Sequence, residues 1–324
     1  MVRDPQYIDP SNIYRNKSKP LVSVIMNCYN CEKYLVESID SVINQSYSNW
    51  ELIFWDNVSV DGTANIVHCY DDARIRYFCG SKTAPLGGAR NLALSQVRGE
   101  FIAFLDSDDK WMSNKLDLQV SWFNVNPNYG FVYSNYYKLI NNIRQRSKVL
   151  KGSQPEGNVF SEFLIQYPVN LQTVMIRTSA MNSVDMLFDL KFELVEEYDL
   201  FMRLLYQISA GYIEAPLVEY RVHNEMSSIR KISLWPIEHK MALENLKRIV
   251  PNFDKRFEDE LVYTKAKIGY YEARASISEG DMKSARESLY SYRNVGYRYR
   301  LLYLLTFFPI FVWNAIHKYF ARFA

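Results

Sequence analysis

The stretch GEFIAFLDSDDKW (residues 99–111) combines two features that conflict in energy. Residues 101–105 are all apolar, as in a strand buried on both faces. Three carboxylates, those of Asp106, Asp108 and Asp109, follow within four positions. Because like charges repel and a buried carboxylate without a partner is costly, this cluster needs a cation or several hydrogen-bond donors nearby. Helix capping would account for one aspartate but not for three.

Predicted strands and helices alternate around this stretch. The segments at 21–26, 50–55, 74–79 and 100–105 have the composition of strands, and helical patterns separate them. The alternation predicts an α/β fold, with a mostly parallel sheet and helices on both faces. Later strands are predicted at 130–137, 170–176 and 212–223, with a helix at 196–207.

From about Trp235 the sequence is helical, and residues 270–292 have the pattern of two antiparallel helices joined at Gly280-Asp281. Such a pair cannot bury its own apolar face, so we expect it to pack on neighbouring elements. We therefore predict a polar lead-in at 1–19, an α/β domain at 20–232 and a helical C-terminal region at 233–324.

The composition limits the classes of ligand and the cellular location that we expect for this protein. The formal net charge is +2, from 38 basic and 36 acidic side chains, which gives no case for nucleic-acid binding. Cys28 and Cys31 form a C-x-x-C without a second pair of metal ligands, so we expect reduced thiols rather than a zinc site. The first residues carry no apolar signal segment, and we expect the body of the protein to be cytoplasmic.

Polar clusters follow three of the predicted strands: NCYN (27–30), DNVSVDGT (56–63) and DSDD (106–109). Ligands of open α/β sheets bind beyond the carboxyl ends of the strands, so these clusters should form a single site. The first strand is not followed by a G-x-G-x-x-G turn, and the sequence contains no Walker A motif. The site is therefore not of the ordinary dinucleotide or P-loop type.

Five stretches in order, at 22–63, 87–94, 99–111, 196–204 and 219–228, resemble the family-2 glycosyltransferases, which are inverting enzymes with the GT-A fold. The resemblance implies transfer of a sugar from a nucleotide-sugar, most simply a UDP-sugar, to a glycan or lipid-linked glycan, as in surface polysaccharide synthesis. It identifies DSDD as the family's D-x-D element. The implied cofactor is a divalent cation, Mn²⁺ or Mg²⁺, bridging the donor phosphates.

The resemblance also implies a set of site residues. Asp108 and His223 would contact the metal, and Glu197 would be the catalytic base, one methylene longer than the Asp usual in relatives, with Asp199 as the spare candidate. The implied nucleotide-binding residues are Asn27, Tyr29, Asp56, Asn57, Arg90, Asp106 and Ser107. Further contacts to sugar, acceptor or phosphate would come from Trp111, Glu196 and Arg221.

Several of these residues also have a purely structural interpretation. Asp56 and Asn57 are also typical of an Asx-rich turn, Arg90 of a surface ion pair and Trp111 of a core residue. For the whole protein, the alternative is a catalytically silent GT-A-like module that binds a glycan or a partner protein.

The C-terminal sequence also has two interpretations. Residues 301–316 carry no charge, but this run is shorter than the roughly 20 residues that a helix needs to span a bilayer. Basic and aromatic residues flank it, including Arg298, Arg300, Lys318 and Arg322. We expect 297–324 to be a peripheral, in-plane membrane anchor; the alternative is a last helix buried on the α/β domain.

Overall fold

A computed structural model describes residues 19–223, 226 and 230–320. Of the predicted lead-in at 1–19, residues 1–18 lie outside the described residues, as does Arg322.

Residues 19–223 contain a nine-stranded sheet of order β3-β2-β1-β4-β8-β6-β9-β5, with β7 paired to β6. Its strands are β1 (Val22–Cys28), β2 (Trp50–Asp56), β3 (Ile75–Cys79), β4 (Phe101–Phe104), β5 (Lys110–Trp111), β6 (Phe131–Ile140), β7 (Ile143–Arg144), β8 (Met175–Arg177) and β9 (Ala210–Val222). The first four strands pair in parallel, whereas β8 runs antiparallel to both β4 and β6. The predicted α/β fold is confirmed, and its parallel pairings are those among β1–β4 and that of β6 with β9.

The helices of the described residues lie on both faces of this sheet and then continue as a helical C-terminal region. They are α1 (Glu32–Ile43), α2 (Thr63–His68), α3 (Leu86–Leu94), α4 (Lys115–Val125), α5 (Phe160–Ile165), α6 (Glu196–Leu205), α7 (Leu234–Ile249), α8 (Phe253–Arg256), α9 (Glu258–Ser278), α10 (Met282–Tyr290), α11 (Tyr297–Leu305) and α12 (Ile310–Phe320). The turn predicted at Gly280 joins α9 to α10, with Gly280 at φ +86°.

The central strands are apolar throughout because both of their faces are covered. Alternate residues point to opposite faces. Ile25, Ile53 and Ile102 belong to the core on one face, whereas Val24 and Leu52 belong to the core on the other. A continuous apolar run is therefore what this position in the sheet requires.

The strand predicted at 170–176 is wrong for its first half. The Asn170 side chain accepts a hydrogen bond from the backbone N–H of Gln172, and residues Leu171–Thr173 form a 3₁₀ turn. Local side-chain hydrogen bonds of this kind compete with strand pairing. Only the apolar end of the segment enters the sheet, as β8.

The helical C-terminal region shares the core of the α/β domain. Leu243, Leu246 and Phe257 pack in the same apolar cluster as Ile25 and Phe104 of the sheet. The Glu238 carboxylate, 3 % exposed, also accepts hydrogen bonds from three consecutive backbone N–H groups at residues 193–195, at 2.9–3.0 Å. These residues lead directly into α6, so α7 holds the start of that helix in place.

The last two helices form a hairpin with a buried and an exposed side. Leu302, Leu305 and Trp313 are buried in a separate apolar cluster with α9 and α10. The turn between the helices exposes large apolar side chains: Leu304, Phe307, Phe308, Ile310 and Phe311. We call residues 304–311 the elbow. Within the described residues, no helix has the length and apolarity to cross a bilayer.

We predict that Leu246→Ala destabilises the whole protein, by about 2–5 kcal/mol, because it removes a side chain that is 0 % exposed from the shared core. Ile249→Ala on the same helix is the control, since Ile249 is 38 % exposed. Denaturant unfolding measures both changes. Equal, small losses would show that α7 does not share the core.

Candidate active site

A cavity of about 720 Å³ opens at the carboxyl ends of β1 and β4. The register pairs Ile25 with Phe104, so Asn27, near the end of β1, and Asp106, just beyond β4, occupy equivalent positions. Nine of the predicted site residues line this cavity: Asn27, Tyr29, Arg90, Asp106, Ser107, Asp108, Glu196, Glu197 and His223. Both side-chain polar atoms of Asn27 are buried without a partner among the described residues, which leaves its amide available to a ligand.

The three aspartates of the DSDD turn are close together in space. Oxygen atoms of Asp106, Asp108 and Asp109 lie within 4.8 Å of one another, and His223 Nε2 is 2.9 Å from Asp108 Oδ2. Asp109 is buried, and burial together with the charges of Asp108 and Asp106 raises its pKa well above the usual value. Asp109 Oδ2 has no hydrogen-bond partner among the described residues. Such a crowded set of carboxylates favours a cation.

The oxygen-rich set fits a divalent cation. Mg²⁺ and Mn²⁺ both favour carboxylate oxygens. Among the described residues, these three aspartates are the cluster whose ligand atoms could surround one ion. Asp106 and Asp108 line the cavity and could reach an ion there, whereas Asp109 is turned inward towards the backbone N–H of Arg221, at 2.6 Å.

Arg90 links the acidic turn to α6, the helix that begins with Glu196 and Glu197. Its guanidinium is 3.1 Å from Asp106 Oδ1 and also forms an ion pair with Glu196. Arg90 is 3 % exposed, so the surface ion pair that was the alternative for this residue is wrong. The buried guanidinium offsets charges that would otherwise repel across the cavity.

Glu197 is the carboxyl group whose environment suits a proton acceptor. It lines the cavity, and burial, followed by the negative charge of Glu196, raises its pKa to about 8 against the opposing effect of Arg90. Asp199, the spare candidate, is fully buried outside the cavity, paired with Arg203 at 2.7 Å and Asn245 at 2.8 Å. The structure therefore leaves Glu197 as the candidate base on α6.

Arg221 and Trp111 lie beneath the cavity rather than in its wall, which corrects the contacts expected of them. Arg221 is 2 % exposed and donates from Nε to the carbonyl oxygen of Asp108, at 2.7 Å. Trp111 is buried, and its Nε1 donates to the carbonyl oxygen of Gln172 at 3.1 Å. Arg221 therefore holds the acidic turn, whereas Trp111 holds the backbone at Gln172.

A neighbouring cavity of about 600 Å³ shares Asn27 and Tyr29 with the first. Asn57 lines it, but its amide exchanges two hydrogen bonds with the backbone of Ala84, at 2.8 and 2.9 Å. Asp56 lines neither cavity. Its carboxylate accepts from the backbone N–H of Ser59 and the hydroxyl of Tyr77, both at 2.7 Å. The turn interpretation thus describes their contacts in this structure.

Sequence reasoning missed two residues of the cavity wall. Gln172 donates from its side-chain nitrogen to Asp106 and leaves its amide oxygen without a described partner. Tyr34 lies between Arg221 and His223, with its ring 4.2 Å from the guanidinium and 5.6 Å from the imidazole. In the sequence, Tyr34 is one of the regularly spaced apolar positions of α1, which predicts a helix but no role in a site. No sequence motif includes Gln172.

The structure joins Cys28 and Cys31 in a disulfide, with Cα atoms 6.0 Å apart, so the expected pair of reduced thiols is wrong for this conformation. The bridge encloses Tyr29 and Asn30 at the edge of the cavity.

In this geometry the acidic turn and the carboxyl group of Glu197 line one cavity at a sheet edge. A group of carboxyl side chains with perturbed pKa values around one cavity is typical of an enzyme active site. Residues 23–187, more than half of the chain, match the sequence profile described as glycosyl transferase family 2. The chain belongs to this family and is a glycosyltransferase, as the resemblance implied.

One relative is the Escherichia coli UDP-Glc:alpha-D-GlcNAc-diphosphoundecaprenol beta-1,3-glucosyltransferase WfgD, 36 % identical over 64 % of this chain and 79 % of that protein. Solved structures with the same fold include residues 1–349 of S. aureus TarS with UDP-GlcNAc, at TM-score 0.58 and 18 % identity over 84 % of this chain and 91 % of that one. Pyrobaculum calidifontis mannosyltransferase PcManGT with GDP-Man and Mn²⁺ gives TM-score 0.58 and 17 % identity, covering 92 % and 85 %. The GT-A fold is confirmed.

We predict that Glu197→Gln stabilises the metal-free protein increasingly as the pH rises. The Glu197 pKa is raised from 4.5 to about 8 in the folded state, so the wild type loses stability between these pH values as the unfolded chain ionises more readily. Glutamine does not ionise. Melting temperatures of both proteins in a chelator should therefore agree near pH 4.5 and diverge towards pH 8.

The control for this measurement is Glu287→Gln, which removes an exposed carboxyl from α10. A melting-temperature difference between Glu197→Gln and wild type that stays constant with pH would contradict the raised pKa.

Proposed function

We propose that this protein is an inverting, metal-dependent transferase that moves a sugar from a UDP-sugar to a lipid-linked glycan, as in surface polysaccharide synthesis. The carrying observation is that Glu197 and the acidic turn face one cavity. The name of the WfgD relative, a UDP-glucose-dependent enzyme acting on a diphosphoundecaprenol-linked sugar, supports the choice of donor and acceptor.

The donor would lie along the carboxyl edge of the sheet. Its nucleoside fits the side cavity, where Tyr29 is 55 % exposed and able to stack on a base, and the unpartnered amide of Asn27 stands between the two cavities. Its diphosphate would then reach the acidic turn, where Asp106, Asp108 and His223 would hold the divalent cation. That cation would neutralise the charge of the leaving nucleoside diphosphate.

In the transfer step, the ionised Glu197 takes the proton of the acceptor hydroxyl while that oxygen attacks the anomeric carbon from the face opposite the leaving phosphate. A single displacement inverts the configuration and requires one base. Arg90 holds Glu196 and Asp106, and so maintains the spacing between α6 and the acidic turn. Glu238 fixes the backbone just before Glu196.

The exposed apolar side chains of the elbow support the proposal that the enzyme acts at a membrane surface, which we take to be the cytoplasmic face. Phe307 and Phe308 are 55 % and 54 % exposed although each is large and apolar. Clustered exposed aromatic and aliphatic side chains are typical of a protein or membrane contact. The anchor expected from the sequence is therefore retained as a proposal for the elbow alone, since the other side of the hairpin is buried.

We predict that Glu197→Gln lowers the rate of sugar transfer by about 10²–10⁴-fold, because the amide cannot accept the proton. Donor affinity should change little. Asp199→Asn is the control on the same helix: it should lower the melting temperature through the lost partner of Arg203, but the folded fraction should keep its turnover number. The reverse pattern of rates would assign the base to Asp199.

Asp108→Asn should abolish the Mn²⁺-dependent part of UDP binding, measured by calorimetry with and without the metal. The substitution keeps the shape of the side chain but removes the charge that holds the ion. Asp117→Asn, at an exposed position on α4, is the control and should bind as the wild type does. Metal-dependent affinity that persists in Asp108→Asn would exclude the assigned ligand.

A further inference from the structure

The cavity of about 720 Å³ in the candidate active site is called the catalytic cavity below. The helical C-terminal region contains a second cavity, of about 310 Å³, and the two have no described lining residue in common. We call the second cavity the rear cavity. Its walls come from the end of α5, from α9, from residues 295–302 and from His317 on α12. Its volume lies in the range of small-molecule sites.

The rear cavity is cationic and aromatic. Lys267 and Arg298 line it, and none of its described lining residues is acidic. The Lys267 ammonium forms no ion pair or hydrogen bond with a described residue, and burial lowers its pKa to about 8. The aromatic part of the wall consists of Tyr263, Tyr270, Tyr271, Tyr297 and Tyr299. An ammonium in such surroundings gains most from a compact anion.

His317 adds a polar but uncharged wall. Burial lowers its pKa to about 4, so the imidazole is neutral near pH 7. It shares a hydrogen bond with the hydroxyl of Tyr270. The positive charge of the cavity therefore comes from Lys267 and Arg298, with Arg274 close enough to act on His317.

The elbow lies at the other end of the same two helices. Arg298 precedes Leu304 by six residues, and His317 follows Phe311 by six. At 1.5 Å per residue, each interval corresponds to about 9 Å along a helix. The headgroup layer on each side of a bilayer is roughly 5–8 Å thick. An elbow at the edge of the hydrocarbon layer would thus bring the rear cavity to the depth of lipid phosphates.

We propose that the rear cavity binds the phosphate headgroup of a membrane lipid, with the elbow in contact with the edge of the hydrocarbon layer. The charge of Lys267 and Arg298 complements a phosphate, and the exposed aromatic side chains match the apolar layer next to it. This site includes neither Glu197 nor any described residue of the catalytic cavity, so it can be tested apart from the proposed reaction.

Such a site would place a lipid beside the catalytic cavity. Trp235 lines the catalytic cavity, and Tyr271 lines the rear cavity. Their ring centroids are 5.1 Å apart. The two cavities therefore approach each other at this aromatic pair.

The test is co-sedimentation of the full chain with phosphatidylcholine vesicles, with or without about 20 % phosphatidic acid as the source of phosphate charge. Lys267→Gln removes the ammonium from the rear cavity. Lys265→Gln is the matched control, because it removes the same charge from an exposed position two residues away on α9 that does not line this cavity. Lys267→Arg keeps the charge. Melting temperatures verify that all variants fold.

We expect Lys267→Gln to lower partitioning onto the phosphatidic acid vesicles by about five-fold, and Lys265→Gln and Lys267→Arg to retain it. Equal losses for the glutamine variants at 265 and 267 would mean diffuse surface charge and would overturn the site. Unchanged binding of Lys267→Gln would overturn it as well.

Two further arms separate the lipid from a free anion. Changing both Phe307 and Phe308 to Ser should reduce partitioning onto both kinds of vesicle, because both side chains are exposed and contribute the apolar contact. Calorimetry with inorganic phosphate tests the free anion. Phosphate binding that needs Lys267, in a protein that does not sediment with any vesicle, would reject the lipid and assign the cavity to a soluble phosphate.

Discussion

The buried guanidinium of Arg90 is the interaction on which the catalytic site depends. It contacts Asp106 on the acidic turn and Glu196 on α6, two carboxylates that come from segments 90 residues apart. Without a cation between them, the two carboxylates would repel, and Glu196, whose side chain is 3 % exposed, would have little water to solvate its charge. Burial is the main cause of the raised pKa of Glu197, the charge of Glu196 raises that pKa further, and Arg90 opposes the rise. One ion-pair network thus holds the spacing of the site and modulates the protonation of Glu197.

The helical C-terminal region stabilises this arrangement from behind. The Glu238 carboxylate accepts hydrogen bonds from the three backbone N–H groups that precede Glu196. Those N–H groups would otherwise be unsatisfied at the start of α6. Leu246 belongs to the same core as the central strands. The region is therefore part of the enzyme's architecture, and its far end, with the elbow and the rear cavity, faces the solvent where a membrane could approach.

The N-terminal half of the fold was predictable because its strands are buried on both faces and leave continuous apolar runs. β1 and β4 were recognised from composition within a few residues of their bounds. The segment at 170–176 was not, because Asn170 forms a hydrogen bond to Gln172 that composition does not reveal. The antiparallel pairings of β8 depend on contacts distant in sequence, which local patterns cannot specify.

By itself, the sequence determined that polar side chains follow three strands of an α/β sheet, and that an acidic turn needs a positive partner, because strand burial and charge repulsion are local properties. The tertiary structure decided which of those side chains face the cavity. Among the residues that the structure describes, the Asn27 side chain has no hydrogen-bond partner, whereas the side chains of Asp56 and Arg221 bond to protein groups. It also supplied Gln172 and the partner role of Arg90. Hydrogen-bond partners are chosen by packing between distant segments, and a sequence pattern does not contain those distances.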